Sequence, residues 1–276
     1  MGVYKTMELL QKVSASLVSL KNKKPLVHHI TNYVTVNDCA NMTLAIGASP
    51  VMADDIGEVE EMVAFASSLV LNMGTLNARS ITSMIAAGKK AKELGIPIVF
   101  DPVGVGATSL RTATAKRIIE EVCPSVIRGN MSEIKILAGL SAEIKGVDSI
   151  SDEIDGEKVA RELSKKLGCI ITITGKQDII AQGDLVCCIA NGHAILSQVT
   201  GTGCMATSLI GCFCGATDDL FAATVAGIMT MGLAGEMSEQ SLQIGEGIGT
   251  FRTRLFDAVW SMTPEMLEKG GQIANA

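Results

Sequence analysis

Along the middle third of the chain, hydrophobic periodicity switches repeatedly between short apolar runs and longer amphipathic ones, the pattern of a parallel sheet flanked by helices. Ser68-Leu-Val-Leu-Asn72 reads as a buried strand. Ala78 to Leu94 carries Ile81, Met84, Ile85 and Ala91 on one helical face, and Gly95 and Pro97 end it. Ile96 to Phe100 reads as the next strand, followed by a helix over Ala113 to Val122 and a strand at Ser125 to Ile127. Helices over Ser132 to Ala138 and Glu157 to Leu167 lead to a strand over Cys169 to Thr174. Beyond it, Asp178 to Ala181 and Leu185 to Ala190 flank Gln182-Gly183-Asp184 and read as a short antiparallel hairpin at one side of the sheet. From Met205 onward the pattern is helical. The fold class is α/β, doubly wound, with a mostly parallel central sheet. No internal repeat and no stretch rich in Pro, Ser and charge divides the chain, so residues 1–276 read as a single domain.

Composition removes several classes of partner. Net charge is −6 and no basic cluster is longer than Lys21, Lys23 and Lys24, which argues against nucleic acid. Aromatic residues are 3%, too few for base-stacking platforms. Leu185 to Thr217 holds no Asp, Glu, Lys or Arg, yet Asn191-Gly192-His193 and Thr200-Gly201-Thr202-Gly203 interrupt it. What remains falls short of the roughly 20 apolar residues a membrane span needs. The next apolar stretch, Leu220 to Gly235, is also short and reads as a buried helix. Met1 to Lys24 lacks the apolar run and small-residue cleavage signal of a secretory leader, so a cytoplasmic location is expected. Among eight cysteines there is no Cys-x-x-Cys pair, which leaves zinc and a disulfide framework without their spacing. Buried, reduced thiols are the expectation.

Open α/β sheets bind ligands on loops that follow strand C-termini. Three such loops carry polar groups that a plain turn does not need: Asn72-Met-Gly-Thr75, Asp101-Pro-Val-Gly-Val-Gly106 and Arg128-Gly-Asn-Met-Ser-Glu133. The strongest signal is Thr200-Gly201-Thr202-Gly203-Cys204, just ahead of the helix that begins near Met205. Glycines let backbone N–H groups converge and a helix N-terminus adds partial positive charge, so this loop suits an anion. Gly201-x-Gly203-x-x-Ala206 also satisfies a dinucleotide fingerprint, but that motif needs a following strand that ends in an acid, and Asp218 and Asp219 here open another helix. Gly-x-x-x-x-Gly-Lys-Ser/Thr does not occur, nor do the His-Arg-Asp and Asp-Phe-Gly elements of protein kinases. If the chain handles ATP, it uses another fold.

Taken together, Thr200 to Cys204, Asn130-x-x-Glu133, Asp101-Pro-Val-Gly-Val-Gly106 and His28-His29-Ile30-Thr31-Asn32-Tyr33-Val34-Thr35-x-Asn37 resemble the hydroxyethylthiazole kinases, ribokinase-like enzymes of thiamin salvage. The resemblance runs over nearly the whole chain. His-His-Ile-Thr-Asn, Ser49-Pro-Val-Met-Ala53 and Asp101-Pro-Val-Gly are specific to that family, whereas the Asn-x-x-Glu and Gly-x-Gly loops are shared across the superfamily. It implies a ribokinase-like fold and phosphorylation of the hydroxyl of 4-methyl-5-(2-hydroxyethyl)thiazole by ATP with Mg²⁺. Gly201, Thr202 and Gly203 would then supply a backbone anion hole for the γ-phosphoryl group. Most ribokinase-like kinases carry Asp at the next position, where this chain has Cys204. Two roles stay open for it: a thiol whose pKa the helix N-terminus lowers and which takes the hydroxyl proton, or a packing residue.

The same resemblance points to Asp101 and Glu133 for Mg²⁺, directly or through water, with a turn acid and a first-turn helix acid as the bland readings. It points to Arg128 and Thr174 for the nucleotide, and to Asn32, Met52 and Gly201 for the acceptor, the Met52 thioether lying against an aromatic ring. Local backbone bonding for the first pair and core filling for Met52 are the competing roles. Asn72, Gly74 and Thr75 sit on a neighbouring loop that would line the same pocket, and His28 and His29 are given no catalytic role. The family's sites lie between subunits of a homotrimer, which implies one here. The rivals are a hydroxymethylpyrimidine or pyridoxal kinase, expected to have Asp at position 204, and a thiol-nucleophile enzyme that uses Cys204 with His28, His29 or His193 as base. A non-catalytic sensor of nucleotide and thiamin precursor is a third.

Overall fold

The computed structural model describes residues 6–140 and 154–274. In chain order the elements are α1 (Thr6–Lys23), β1 (Leu26–Ile30), α2 (Val36–Ile46), β2 (Ser49–Val51), α3 (Val59–Phe65), β3 (Ser68–Asn72), α4 (Ala78–Leu94), β4 (Ile98–Asp101) and α5 (Ser109–Val122). They continue with β5 (Val126–Asn130), α6 (Met131–Leu140), α7 (Ile154–Leu167), β6 (Ile170–Thr174), β7 (Asp178–Gln182), β8 (Leu185–Ile189), α8 (Thr202–Cys214), α9 (Leu220–Gln240), α10 (Ile248–Trp260), α11 (Pro264–Gly270) and β9 (Ile273–Ala274).

Among the described residues nine strands form one sheet, ordered β2-β1-β3-β4-β5-β6-β7-β8-β9. From β2 to β6 every pairing is parallel, and β7, β8 and β9 add on antiparallel. Central strands such as β3, buried at every residue, are apolar because helices cover both faces. On one face, Val27, Val70, Val99 and Val126 meet α1, α2 and α8 to α11. On the other, Ile30, Leu69, Leu71 and Phe100 meet α3 to α7.

Where punctuation is strong, local chemistry and structure agree. Helix α4 begins at an Asn77–Ser80 capping box and ends at Gly95 in the left-handed region (φ 70°). The expected hairpin is β7–β8. Three expectations need correction. Arg128, Gly129 and Asn130 belong to β5, not to a loop after it, because the ladder with β6 continues to Asn130↔Thr174. The tail is not wholly helical, since β9 pairs with β8. The apolar stretch at Leu220 extends to a helix of 21 residues, long and apolar enough to cross a membrane by length and composition, yet 83% of its apolar window is buried in the fold. The first five residues of the N-terminal segment lie outside the described residues; from Thr6 it is α1, which buries Leu9, Val13, Leu17 and Leu20.

Candidate active site

The parallel strands end on one edge, where the ladder sets Asn72 beside Asp101 and Asn130 beside Thr174. Helix α8 packs over β3 and β4 with its N-terminus at that edge. Gly201 caps it with φ 87°, a conformation natural to glycine, and a Cβ there would lie 2.6 Å from Thr35 Cγ2. The first turn closes through Met205 N–H donating to Gly201 O at 2.8 Å, so the amides of Thr202, Gly203 and Cys204 precede the helical ladder. They form a ready anion cradle. Gly203 lets the Arg128 guanidinium approach: a Cβ would stand 2.7 Å from Nη1.

Asp101 ends β4 fully buried. Its Oδ2 accepts from Thr207 Oγ1 at 2.7 Å and Asn72 Nδ2 at 3.1 Å, with Arg128 Nη1 at 3.6 Å, while Oδ1 has no hydrogen-bond partner among the described residues. Burial raises its pKa, opposed by Arg128 and Thr207. Cys204 Sγ, half-buried, accepts from Asn72 Nδ2 at 3.3 Å and Asn32 Nδ2 at 3.4 Å. Burial and then the Asp101 carboxylate push its thiol up, overriding the lowering expected from the helix N-terminus. On the far side of Arg128, whose Nη2 donates to Thr174 Oγ1 at 2.6 Å, opens a cavity of about 620 Å³. Lys176, Asp178, Gly192 and Gly203 line it with them. Asp178, half-buried and accepting from Gly175 N, is pushed up to about 6 by the desolvation of its carboxyl.

A profile of the hydroxyethylthiazole kinase family matches residues 17–265. The chain belongs to the hydroxyethylthiazole kinase family. A hydroxyethylthiazole kinase of Alkaliphilus oremlandii is 52% identical over 268 residues, covering 97% of this chain and 99% of that one. The structure of the hydroxyethylthiazole kinase protein from Pyrococcus horikoshii superposes with TM-score 0.87 at 34% identity, over 96% of this chain and 98% of the other. A Bacillus subtilis pyridoxal kinase in an ADP complex, 14% identical with TM-score 0.56 over 80% of this chain and 94% of that one, shares the fold.

The family resemblance and ribokinase-like fold read from the sequence are therefore borne out. Of the expected site residues, the structure brings together Asn32, Asp101, Arg128, Thr174 and Gly201 to Cys204. Asn32 is already engaged, its Oδ1 accepting from Thr35 N and its Nδ2 donating to Asn72 and Cys204. Glu133 forms a capping box: Oε2 accepts from Asn130 N at 2.8 Å, Asn130 Oδ1 accepts from Glu133 N at 2.9 Å, and Oε1 also takes Gly104 N at 2.9 Å. Met52 stands apart, just after the outermost strand β2 and half-buried. His28 lies behind it, buried, its Nε2 at 2.7 Å from Ala53 O.

Sequence reasoning missed Thr207 and gave Asn72 too little weight. Thr207 was findable, being one helical turn after Gly203 and Cys204 and so on their face of α8.

Proposed function

We propose that this family member transfers the γ-phosphoryl group of ATP to the hydroxyl of 4-methyl-5-(2-hydroxyethyl)thiazole, in the cytoplasm, with residues 1–276 acting as one kinase unit. The observation that carries the reading is the opening of the α8 N-terminus between two compartments, the 620 Å³ cavity beyond Arg128 and the Asn32–Asn72–Cys204 surface. The nucleotide fits the first and the alcohol the second. A loose phosphoryl-transfer transition state spreads charge over the γ-oxygens, which the amides of Thr202 to Cys204 and the Arg128 guanidinium are placed to meet.

The donor set suits Mg²⁺, which takes one or two carboxylates and keeps several waters. Asp101 Oδ1 is a buried carboxylate oxygen without a hydrogen-bond partner among the described residues, and Glu133 lies close enough to raise the Asp101 pKa further. These two would hold the ion, which would neutralise charge on the nucleotide phosphates. Cys204 receives the hydroxyl hydrogen bond and positions the alcohol; because burial favours the neutral thiol, it takes the proton only in its ionised fraction. The raised thiol disfavours a thiol nucleophile, and among the described residues Cys204 Sγ is bonded by Asn32 and Asn72 rather than by a histidine: His29 is buried against Val27 O, and His193 accepts from Ile195 N.

We also propose a homotrimer in which Met52 of one subunit completes the acceptor pocket of the next. Exposed Tyr33, Val34, Ile56 and Phe65, on the β1–α2 and β2–α3 connections and at the end of α3, support it. The test is incubation of purified protein with MgATP and the thiazole alcohol. A thiazole product heavier by one phosphoryl group, formed with equal ADP, supports the reading, and ADP without that product refutes it.

A further inference from the structure

Arg111, on the first turn of α5, reaches across to two strand-end loops. Its Nη1 donates to Met73 O at 2.6 Å and Val103 O at 2.7 Å, and its Nη2 to Gly74 O at 2.6 Å. Among the described residues no carboxylate forms an ion pair with it. A planar fork that satisfies three carbonyls on two separate loops is something a lysine ammonium, a single point donor site, does poorly.

The clasped loops are the ones that follow Asn72 at the end of β3 and Asp101 at the end of β4. Gly74 N donates to Asn72 Oδ1 at 2.9 Å, and Asn32 Nδ2 donates to the same oxygen at 2.9 Å. With both donors on its carbonyl side, the Asn72 amide must present Nδ2 to the other side, where it meets Asp101 Oδ2 and Cys204 Sγ. The second loop is fastened twice, by Arg111 at Val103 O and by Glu133 at Gly104 N. There is no slack behind Gly74, since a Cβ on it would meet Asn32 Cβ at 2.8 Å.

We propose that Arg111 is a positioning residue for phosphoryl transfer, clasping the β3 and β4 end loops so that Asn72 holds Asp101 and Cys204 at a fixed separation. It touches neither the anion cradle nor the nucleotide cavity. This rests on the kinase reading for its catalytic consequence and on geometry alone for the clasp. A misplacement of about 1 Å behind a phosphoryl-transfer centre costs on the order of 10²-fold in rate.

The experiment is steady-state kinetics on wild type, Arg111→Ala, Asn72→Ala and the double variant, with hydrogen exchange on the two loops. Arg111→Ala is expected to lower kcat about 10²-fold while KM for ATP stays within about threefold. Millimolar guanidinium should restore part of that loss where sodium chloride of equal ionic strength does not. The double variant should be no slower than Asn72→Ala, because the two residues act in series. Amides of residues 72–76 and 103–106 should exchange faster in Arg111→Ala. Losses that multiply in the double variant, a loss carried by KM alone, or no recovery with guanidinium overturns the positioning role. Unchanged exchange in both loops overturns the clasp itself. If Arg111→Ala does not fold, Arg111→Lys, which keeps the charge and loses the fork, carries the same comparison. Wild type that never phosphorylates the thiazole would instead sink the kinase reading, and the exchange arm would still decide the clasp.

Discussion

Replacing Thr207 with valine removes one hydroxyl from the centre of the site and keeps the shape of the side chain. Thr207 is fully buried and donates to Asp101 Oδ2 at 2.7 Å, the shortest bond that carboxylate receives. A hydrogen bond to a charged group contributes about 1.5–3 kcal/mol, so Thr207→Val is expected to be about 2 kcal/mol less stable. For a chain of this size that lowers the melting temperature by about 3–4 °C. Burial holds the folded pKa of Asp101 above its unfolded value, so the native state binds that proton more tightly and stability falls as pH rises through the interval between them. Removing the Thr207 donor raises the folded pKa again. The deficit of the variant is therefore widest where Asp101 is ionised and narrows as pH falls through its folded pKa. Calorimetry across pH on wild type, Thr207→Val and Thr207→Ser reads this directly, with Thr207→Ser recovering the pH-dependent part. A Thr207→Val deficit that stays constant with pH, or a variant as stable as wild type throughout, would refute the charge-assisted bond.

Gly203→Ala drives a Cβ to 2.7 Å from Arg128 Nη1 in the anion cradle and is expected to cost about 10²–10³ in kcat, with far-UV circular dichroism unchanged. Cys204→Ala should lower kcat by up to about 10²–10⁴-fold if the thiol takes the proton, and wild-type kcat should climb with pH toward the raised thiol pKa, whereas Cys204→Asp should be flat near neutrality. Asp101→Asn and Glu133→Gln should each require more Mg²⁺ for half-maximal rate, and an unchanged titration would remove that residue from the metal side. Iodoacetamide on native protein at neutral pH should label Cys123 and slowly Cys204, but not Cys187, Cys212 or Cys214, whose thiols burial pushes up to about 12; peptide mass mapping checks it.

Local signals account for the elements that the sequence made legible. Asn77 and Gly95 bracket α4, and Gly183 turns the β7–β8 hairpin with φ 60°. Elements that owe their existence to neighbours were not legible. Strand β1 carries His28 and His29 where an apolar run is expected, β2 is three residues long and β9 two. Strand β5 runs on through Arg128 because a fully paired ladder tolerates a charged residue whose head reaches a polar edge. Helix α8 starts at Thr202 rather than Met205 because Gly201 adopts a left-handed cap.

For the site, motif residues could be named, since glycine spacing and strand-end acids are sequence-local. Their couplings could not. Thr207 reaches Asp101 across 106 positions, Asn72 reaches Cys204 across 132, and Arg111 clasps loops on two different strands. For Cys204, left open between a thiol lowered by the helix N-terminus and a packing residue, the helix terminus is local, whereas the burial and the Asp101 carboxylate that push the thiol up are tertiary.

The most direct test of the central claim is a competition in one vessel, with MgATP and equal amounts of the hydroxyethylthiazole, a hydroxymethylpyrimidine and pyridoxal, followed by product masses over time. The account predicts that the thiazole phosphate forms first and dominates, and that Gly203→Ala suppresses it. Preferential phosphorylation of either other alcohol, or no phosphorylated product at all, would contradict it.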